Sequence, residues 1–204
     1  MKIVLASNNA GKLAELQTLF APLNMTLVRQ SELNIPEAAE PFKTFVENAL
    51  AKARHAALLS GMPALADDAG LCVDAFGGQP GVDTAYYATR FGYPKGDDTN
   101  VTALLEQMQG LDNRRAAMVS TLVAVRSADD PEPLIAVGRV VVQITPERRG
   151  SNGFGFDPVM LLPEFGKTFA ELPPEVKNAN SHRGRAAQAI LALMHERWLD
   201  SAAP

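Results

Sequence analysis

Two long apolar, β-branched runs commit this chain to a β-sheet: Met118 to Val125 (MVSTLVAV) and Leu134 to Ile144 (LIAVGRVVVQI). The segment between them, SADDPEP, is too rich in turn residues to prolong either run, so the pattern predicts an antiparallel hairpin. A sheet of this kind needs apolar cover, and segments of helical period supply it elsewhere. Lys2 to Ala6 (KIVLA) reads as a short buried strand that passes through a polar turn into a stretch with Leu13, Leu16, Leu19 and Phe20 on one face. A second helix is expected from Phe45 to Leu59, where Val46, Ala49, Leu50, Ala53 and Ala57 recur at helical spacing, with Thr44 and Glu47 placed as a capping box.

Further along, Pro63 to Ala66 reads as a strand ending in an acidic turn, Asp67-Asp68-Ala69-Gly70. A loop with Gly77, Gly78, Pro80 and Gly81 and a short helix near Asn100 to Met108 follow. Gly150 to Pro158 (GSNGFGFDP) is a glycine-rich loop expected to be ordered by burial of Phe154 and Phe156. Arg183 to Trp198 forms the final helix, with Ser181 as N-cap and Ala187, Ile190, Leu191 and Met194 on its apolar face. The economical reading is one α/β domain over residues 1–204, with two lobes around a cleft.

Composition narrows the function. With 204 residues, 47% of them hydrophobic and 21% charged, the chain can bury a substantial core. A net charge of −4 argues against a broad surface for nucleic-acid backbone, so any phosphate bound belongs to a small molecule. The single cysteine, Cys72, cannot form an internal disulfide, which suits a reducing, cytoplasmic setting. Ile3 to Ala6 is too short for a signal-peptide core, and no apolar stretch approaches the roughly 20 residues that span a bilayer. A soluble protein without a membrane partner is expected.

Several clusters could carry chemistry. Ser7-Asn8-Asn9-Ala10-Gly11-Lys12 lies where a strand enters a helix, a place where free N–H groups and the helix dipole favour an anion. It lacks Walker spacing, and Asn8 or Asn9 could equally serve as a plain helix cap. Asp67 and Asp68 are adjacent, so in extended chain their side chains point to opposite sides and at most one faces a given site. Together with Glu40, the acids could hold Mg²⁺ while phosphate oxygens and water complete its octahedron; a polar turn is the plainer alternative. Glu47 is accounted for by its cap, and Lys52 is either a phosphate contact or a solvated helix lysine. Lys177, Ser181, His182 and Arg183 group hydrogen-bond donors suited to a nucleobase edge, or form an ordinary solvated loop.

In content and order, these segments resemble the inosine triphosphate pyrophosphatase family, the non-standard purine nucleotide pyrophosphatases. The likeness runs from SNNAGK through TFVENA (Thr44 to Ala49), ADDAG (Ala66 to Gly70), GGQPG (Gly77 to Gly81) and GFGFDP (Gly153 to Pro158) to SHRG (Ser181 to Gly184). Each motif alone is weak; six in order are specific. The resemblance implies a mixed-sheet α/β fold with a central cleft between two lobes, and a homodimer. It implies that Ser7, Asn8, Asn9, Ala10, Gly11 and Lys12 cradle the triphosphate, and that Glu40 and Asp68 bind Mg²⁺, with Asp68 also the proton acceptor. Phe154, Gly155, Phe156, Asp157, Lys177, His182 and Arg183 would surround the base. Three positions depart from the pattern. Ala69 stands at a substrate contact where serine is usual, Phe156 replaces a frequent tyrosine, and Tyr86 occupies a position where arginine is common. The lost hydroxyl at position 69 should weaken binding by about 1 kcal/mol.

The expected activity is hydrolysis of dITP, ITP and XTP to monophosphate and pyrophosphate, which would clear deaminated purine nucleotides. Water would attack the α-phosphorus, and donors from Arg183, His182 or the loop backbone would match the purine 6-oxygen. Two alternatives stand beside it: a septum-inhibitor-type nucleotide pyrophosphatase with another base preference, whose N-terminal motif is richer in arginine, and a module that senses nucleotides without hydrolysing them.

Overall fold

The computed structural model describes residues 1–21 and 25–199. Its strands form one seven-stranded mixed sheet in the order β2-β1-β3-β4-β5-β6-β7. These are β1 (Lys2–Leu5), β2 (Thr26–Arg29), β3 (Ala64–Val73), β4 (Arg115–Val125), β5 (Leu134–Ile144), β6 (Met160–Leu162) and β7 (Lys167–Thr168). β1 is parallel to both β2 and β3, whereas β6 is antiparallel to β5 and to β7. The two long runs that predicted the hairpin are β4 and β5, hydrogen-bonded neighbours in the sheet. The helices are α1 (Ala10–Phe20), α2 (Phe45–Ser60), α3 (Asp97–Gln107), α4 (Pro174–Asn180) and α5 (His182–Met194). Packing groups the chain into two compact units, one of residues 1–68, 120–138 and 182 onward, the other of residues 69–119 and 139–181.

The first unit is layered, and strand alternation dictates its layers. Ile3, Leu5, Leu65, Leu122, Ala124, Leu134 and Ala136 pack with Leu13, Leu16 and Phe20 of α1 and Ala186, Ala187, Ile190 and Met194 of α5. The intervening residues, Val4, Ala6, Ala64, Ala66, Val123 and Val125, pack with Ala49, Ala53, Ala56 and Ala57 of α2. Successive residues of a strand face opposite sides; odd positions of β1 and β3 therefore meet α1 and α5, and even positions meet α2. The alanine stripe of α2 lets that helix lie close to the sheet. Gly138 serves α5 likewise, since a Cβ there would fall 1.9 Å from the His182 carbonyl oxygen and 2.5 Å from the Ala186 nitrogen.

The second unit has its own core, in which Leu71, Val73, Val101, Leu104, Met108, Val142, Phe156, Met160 and Phe169 are buried together. The turn expected at Asp67 to Gly70 is absent. β3 runs straight through it, Gly70 does not adopt a positive φ, and both aspartates lie in mid-strand. The strand tolerates them because each carboxylate meets a cation. The capping of α2 also differs in detail: Thr44 Oγ1 accepts from the Glu47 N–H at 3.3 Å, but Glu47 accepts from the Thr44 hydroxyl at 2.5 Å rather than from its backbone. At the other end of the chain the expected helix from Arg183 to Trp198 divides into α5 and a π-helical turn, His195–Leu199, and α4 fills what read as loop.

Candidate active site

The parity of β3 sets the chemistry of the first unit. Asp67 shares the odd face with Leu65, so its carboxylate meets α1 and α5; Asp68 shares the even face with Ala66 and meets α2. Asp67 is 1% exposed. Its Oδ1 accepts from Ser120 Oγ at 2.6 Å, and its Oδ2 lies 2.9 Å from Arg183 Nε and 3.2 Å from Lys12 Nζ. The far side of the Arg183 guanidinium reaches Glu15 Oε2 at 2.5 Å. Burial opposes the charge of Asp67, yet Arg183, Lys12 and the Ser120 hydroxyl hold its carboxyl well below the usual carboxylate range. Arg183 is buried as well, and Asp67 and Glu15 overcome that burial to hold its guanidinium above its ordinary value.

On the other face, Asp68 Oδ1 accepts from Lys52 Nζ at 2.8 Å, and the same ammonium lies 3.2 Å from Glu40 Oε2. Burial pushes the Asp68 carboxyl above its ordinary value against the pull of Lys52. Lys52 is also buried, but Asp68 and Glu40 keep its ammonium above its ordinary value. Asp68 Oδ2 is buried and has no hydrogen-bond partner among the described residues. Since an unpaired buried carboxylate oxygen is costly, this orphan marks a place for a cation or a donor from outside the chain.

The two faces communicate through one backbone atom. The N–H groups of Val4 and Ala6 donate to the carbonyls of Pro63 at 2.9 Å and Leu65 at 2.8 Å. The next carbonyl on that edge belongs to Asp67, but β1 has ended and the chain turns away at Ser7, whose N–H returns to Leu5. In place of a third strand contact, Lys12 Nζ and Lys52 Nζ each donate to the Asp67 oxygen at 3.2 Å. Burial lowers the Lys12 ammonium below its ordinary value, with Asp67 pulling the other way.

The SNNAGK turn leads into α1. Asn9 is the N-cap, its side chain accepting from the Lys12 N–H at 3.0 Å, while Ser7 Oγ accepts from the Asn9 N–H at 3.2 Å. Asn8 donates to Glu37 at 3.0 Å. Ala10 and Gly11 form the first turn of the helix. His182 and Arg183 open α5, where both are buried.

The remaining predicted site residues lie in the second unit. Ala69 is the next residue of β3. In the glycine-rich loop, Asp157 accepts from the Phe154 N–H at 2.9 Å and from Lys177 Nζ at 2.5 Å, and that ammonium lies 5.0 Å from the centre of the Phe154 ring. Gly153, at φ +79°, permits the arrangement, because a Cβ there would meet Asp157 Oδ2 at 2.0 Å. The Gly155 N–H donates to Asp97 at 3.0 Å, and Phe156 joins the core. A pocket of about 360 Å³ opens beside the loop, lined by Asp97, Arg148, Asn152 and Phe154 among others. Tyr86 is 54% exposed, with Lys95 Nζ 4.1 Å from its ring centre.

Sequence reasoning missed Glu15 and Ser120 and left Lys52 open. Glu15 lies one turn along α1 from Lys12, and Ser120 interrupts an apolar run, so both left a trace in the sequence. Among the described residues no three His, Cys, Asp or Glu side chains are grouped as a metal cage, and no helix is long and apolar enough to cross a membrane.

Comparison with known proteins is consistent along the chain. The Ham1 family model matches residues 3–193. A protein of Albidiferax ferrireducens named dITP/XTP pyrophosphatase is 77% identical over 199 residues, covering 98% of this chain and 100% of that protein. A Paracidovorax citrulli protein of the same name is 77% identical over 198 residues, covering 97% of this chain and 100% of its own length. The solved structure of a HAM1 protein from Coxiella burnetii superposes with a TM-score of 0.87 at 41% identity, covering 96% of this chain and 99% of that one.

Proposed function

Because this chain belongs to the Ham1 family, we propose that it hydrolyses dITP, ITP and XTP to the nucleoside monophosphate and pyrophosphate, removing deaminated purine nucleotides from the pool. The observation that carries this reading into the site is Asp68: a buried carboxylate with one oxygen on Lys52 and the other unpartnered, beside the exposed Glu40.

Asp68 and Glu40 suit a hard divalent cation, and Mg²⁺ is our assignment. It commonly takes one or two protein carboxylates and completes its shell with substrate phosphate and water, and Asp68 and Glu40, both within reach of Lys52, are such a pair. When bound, such an ion neutralises phosphate charge and lowers the pKa of water. The chain's own groups then have separate tasks. The turn from Ser7 into α1 takes the triphosphate, with the N–H groups of Ala10 and Gly11 at the helix start and the Lys12 ammonium. Asp68 is also our candidate to accept the proton of the attacking water. For the base, the family resemblance assigns Phe154 to Asp157, Lys177, His182 and Arg183. Donors from His182 and Arg183 would read the purine 6-oxygen, Arg183 while its guanidinium is held by Asp67 and Glu15. A homodimer, a cytoplasmic location, and partners limited to small nucleotides rather than nucleic acid or membrane complete the proposal.

The test is pyrophosphate release from ITP, XTP, dITP, ATP, GTP and dTTP, with Mg²⁺ and with chelator, for the wild type and Asp68→Asn. We expect metal-dependent release from the first three that falls at least about 10²-fold in the variant. Preference for dTTP, or binding without release, would remove the assignment.

A further inference from the structure

We propose that Asp67 is a positioning residue of the active site, holding the Lys12 ammonium where the triphosphate needs it, and that Arg183 and Ser120 act through Asp67. The inference rests on the pyrophosphatase reading only in supposing that Lys12 meets phosphate.

Asp67 binds Lys12 twice. Its Oδ2 and its carbonyl oxygen both lie 3.2 Å from Lys12 Nζ. A lysine on a flexible four-carbon stem gains direction from two such acceptors that a single one would not give. The carboxylate is immobile in turn, for Ser120 holds Oδ1 at 2.6 Å while Arg183 Nη2 and Nε both lie 2.9 Å from Oδ2. Arg183 is fixed from behind by Glu15 at 2.5 Å, and its helix is seated against β5 by the missing side chain at Gly138. Asp67 is itself too enclosed, at 1% exposure, to meet a substrate. Five side chains from α1, β3, β4 and α5 therefore form one relay ending on a lysine whose side chain is 18% exposed.

Two measurements test this on the full-length protein. The first needs no nucleotide: Lys12 labelling by trinitrobenzenesulfonate, followed by mass spectrometry. Asp67→Asn should label severalfold faster at Lys12 than the wild type, with other lysines unchanged. The second is a double-mutant cycle on ITP hydrolysis. Asp67→Asn should raise KM about tenfold, as expected for a weakened charged hydrogen bond, with a smaller change in kcat. In a Lys12→Met background the same substitution should raise KM no further. A purely structural role predicts additive effects. Should Asp67→Asn fail to fold, Ser120→Ala, which keeps every charge, decides with smaller changes in the same direction. Unchanged Lys12 labelling in the folded variants, or an additive cycle, overturns the proposal. A wild type that releases no pyrophosphate from ITP defeats the functional reading instead, and the labelling result still judges Asp67.

Discussion

Asp67 and Asp68 are the same side chain one position apart, and their surroundings drive them in opposite directions. Asp67 is surrounded by Arg183, Lys12 and the Ser120 hydroxyl and stays ionised, while burial outweighs Lys52 and raises Asp68. A carboxyl held below its unfolded value, about 3.9, contributes stability that is complete above that pH and lost as pH falls toward the folded value. The difference in urea-unfolding free energy between the wild type and Asp67→Asn is therefore expected to stay constant from about pH 5 to about pH 8 and to shrink below about pH 4. At this scale the sequence was informative about identities and silent about partners. Adjacency alone implied opposite faces, and β3 bears that out. That Arg183 would close on Asp67, 116 residues away, followed from no local pattern, because a guanidinium at a helix start suits a base edge as well as a carboxylate.

The start of α1 shows how an element can carry two duties at one place. Asn9 caps the helix through its side chain, and the N–H groups of the same turn remain suited to phosphate. Asn9→Asp separates these duties, since aspartate caps as well as asparagine but adds a negative charge where the triphosphate is proposed to bind. Thermal stability should be unchanged while KM for ITP rises. Helix seating gives a second prediction. Gly138→Ala puts a methyl group 1.9 Å from the His182 carbonyl, so α5 must move, and urea unfolding should show a loss of about 1–3 kcal/mol. Elements with clear periodicity were legible: β1, α1, α2 and β5 lie where their apolar spacing put them. β3 was misjudged because Asp-Asp-Ala-Gly has turn composition, and only the cations supplied by α1, α2 and α5 make it a strand. The short α4 was overlooked because seven residues opened by prolines carry too little pattern.

Across the whole molecule, β3, β4 and β5 each contribute residues to both compact units. Unfolding either unit breaks strands that the other requires, so one cooperative transition is expected. Far-UV circular dichroism and Trp198 fluorescence should give coincident urea midpoints, and separated midpoints would show independent units. The α/β class and the mixed sheet were legible because long β-branched runs and helical periods alternate along the chain. The division into units was not, since it cuts three strands and leaves no linker in the sequence. The odd and even faces of β3 have a further consequence for how this gene can vary. Substitutions in the strand leave its phase intact, but gain or loss of one codon between Ala64 and Asp67 would exchange the aspartates' faces. The acid held by arginine and the acid with the unpartnered oxygen would trade places, with the composition of the motif barely altered. Such a protein would keep its signature and lose its chemistry, so spacing in this strand should be more tightly constrained than the identity of its apolar residues.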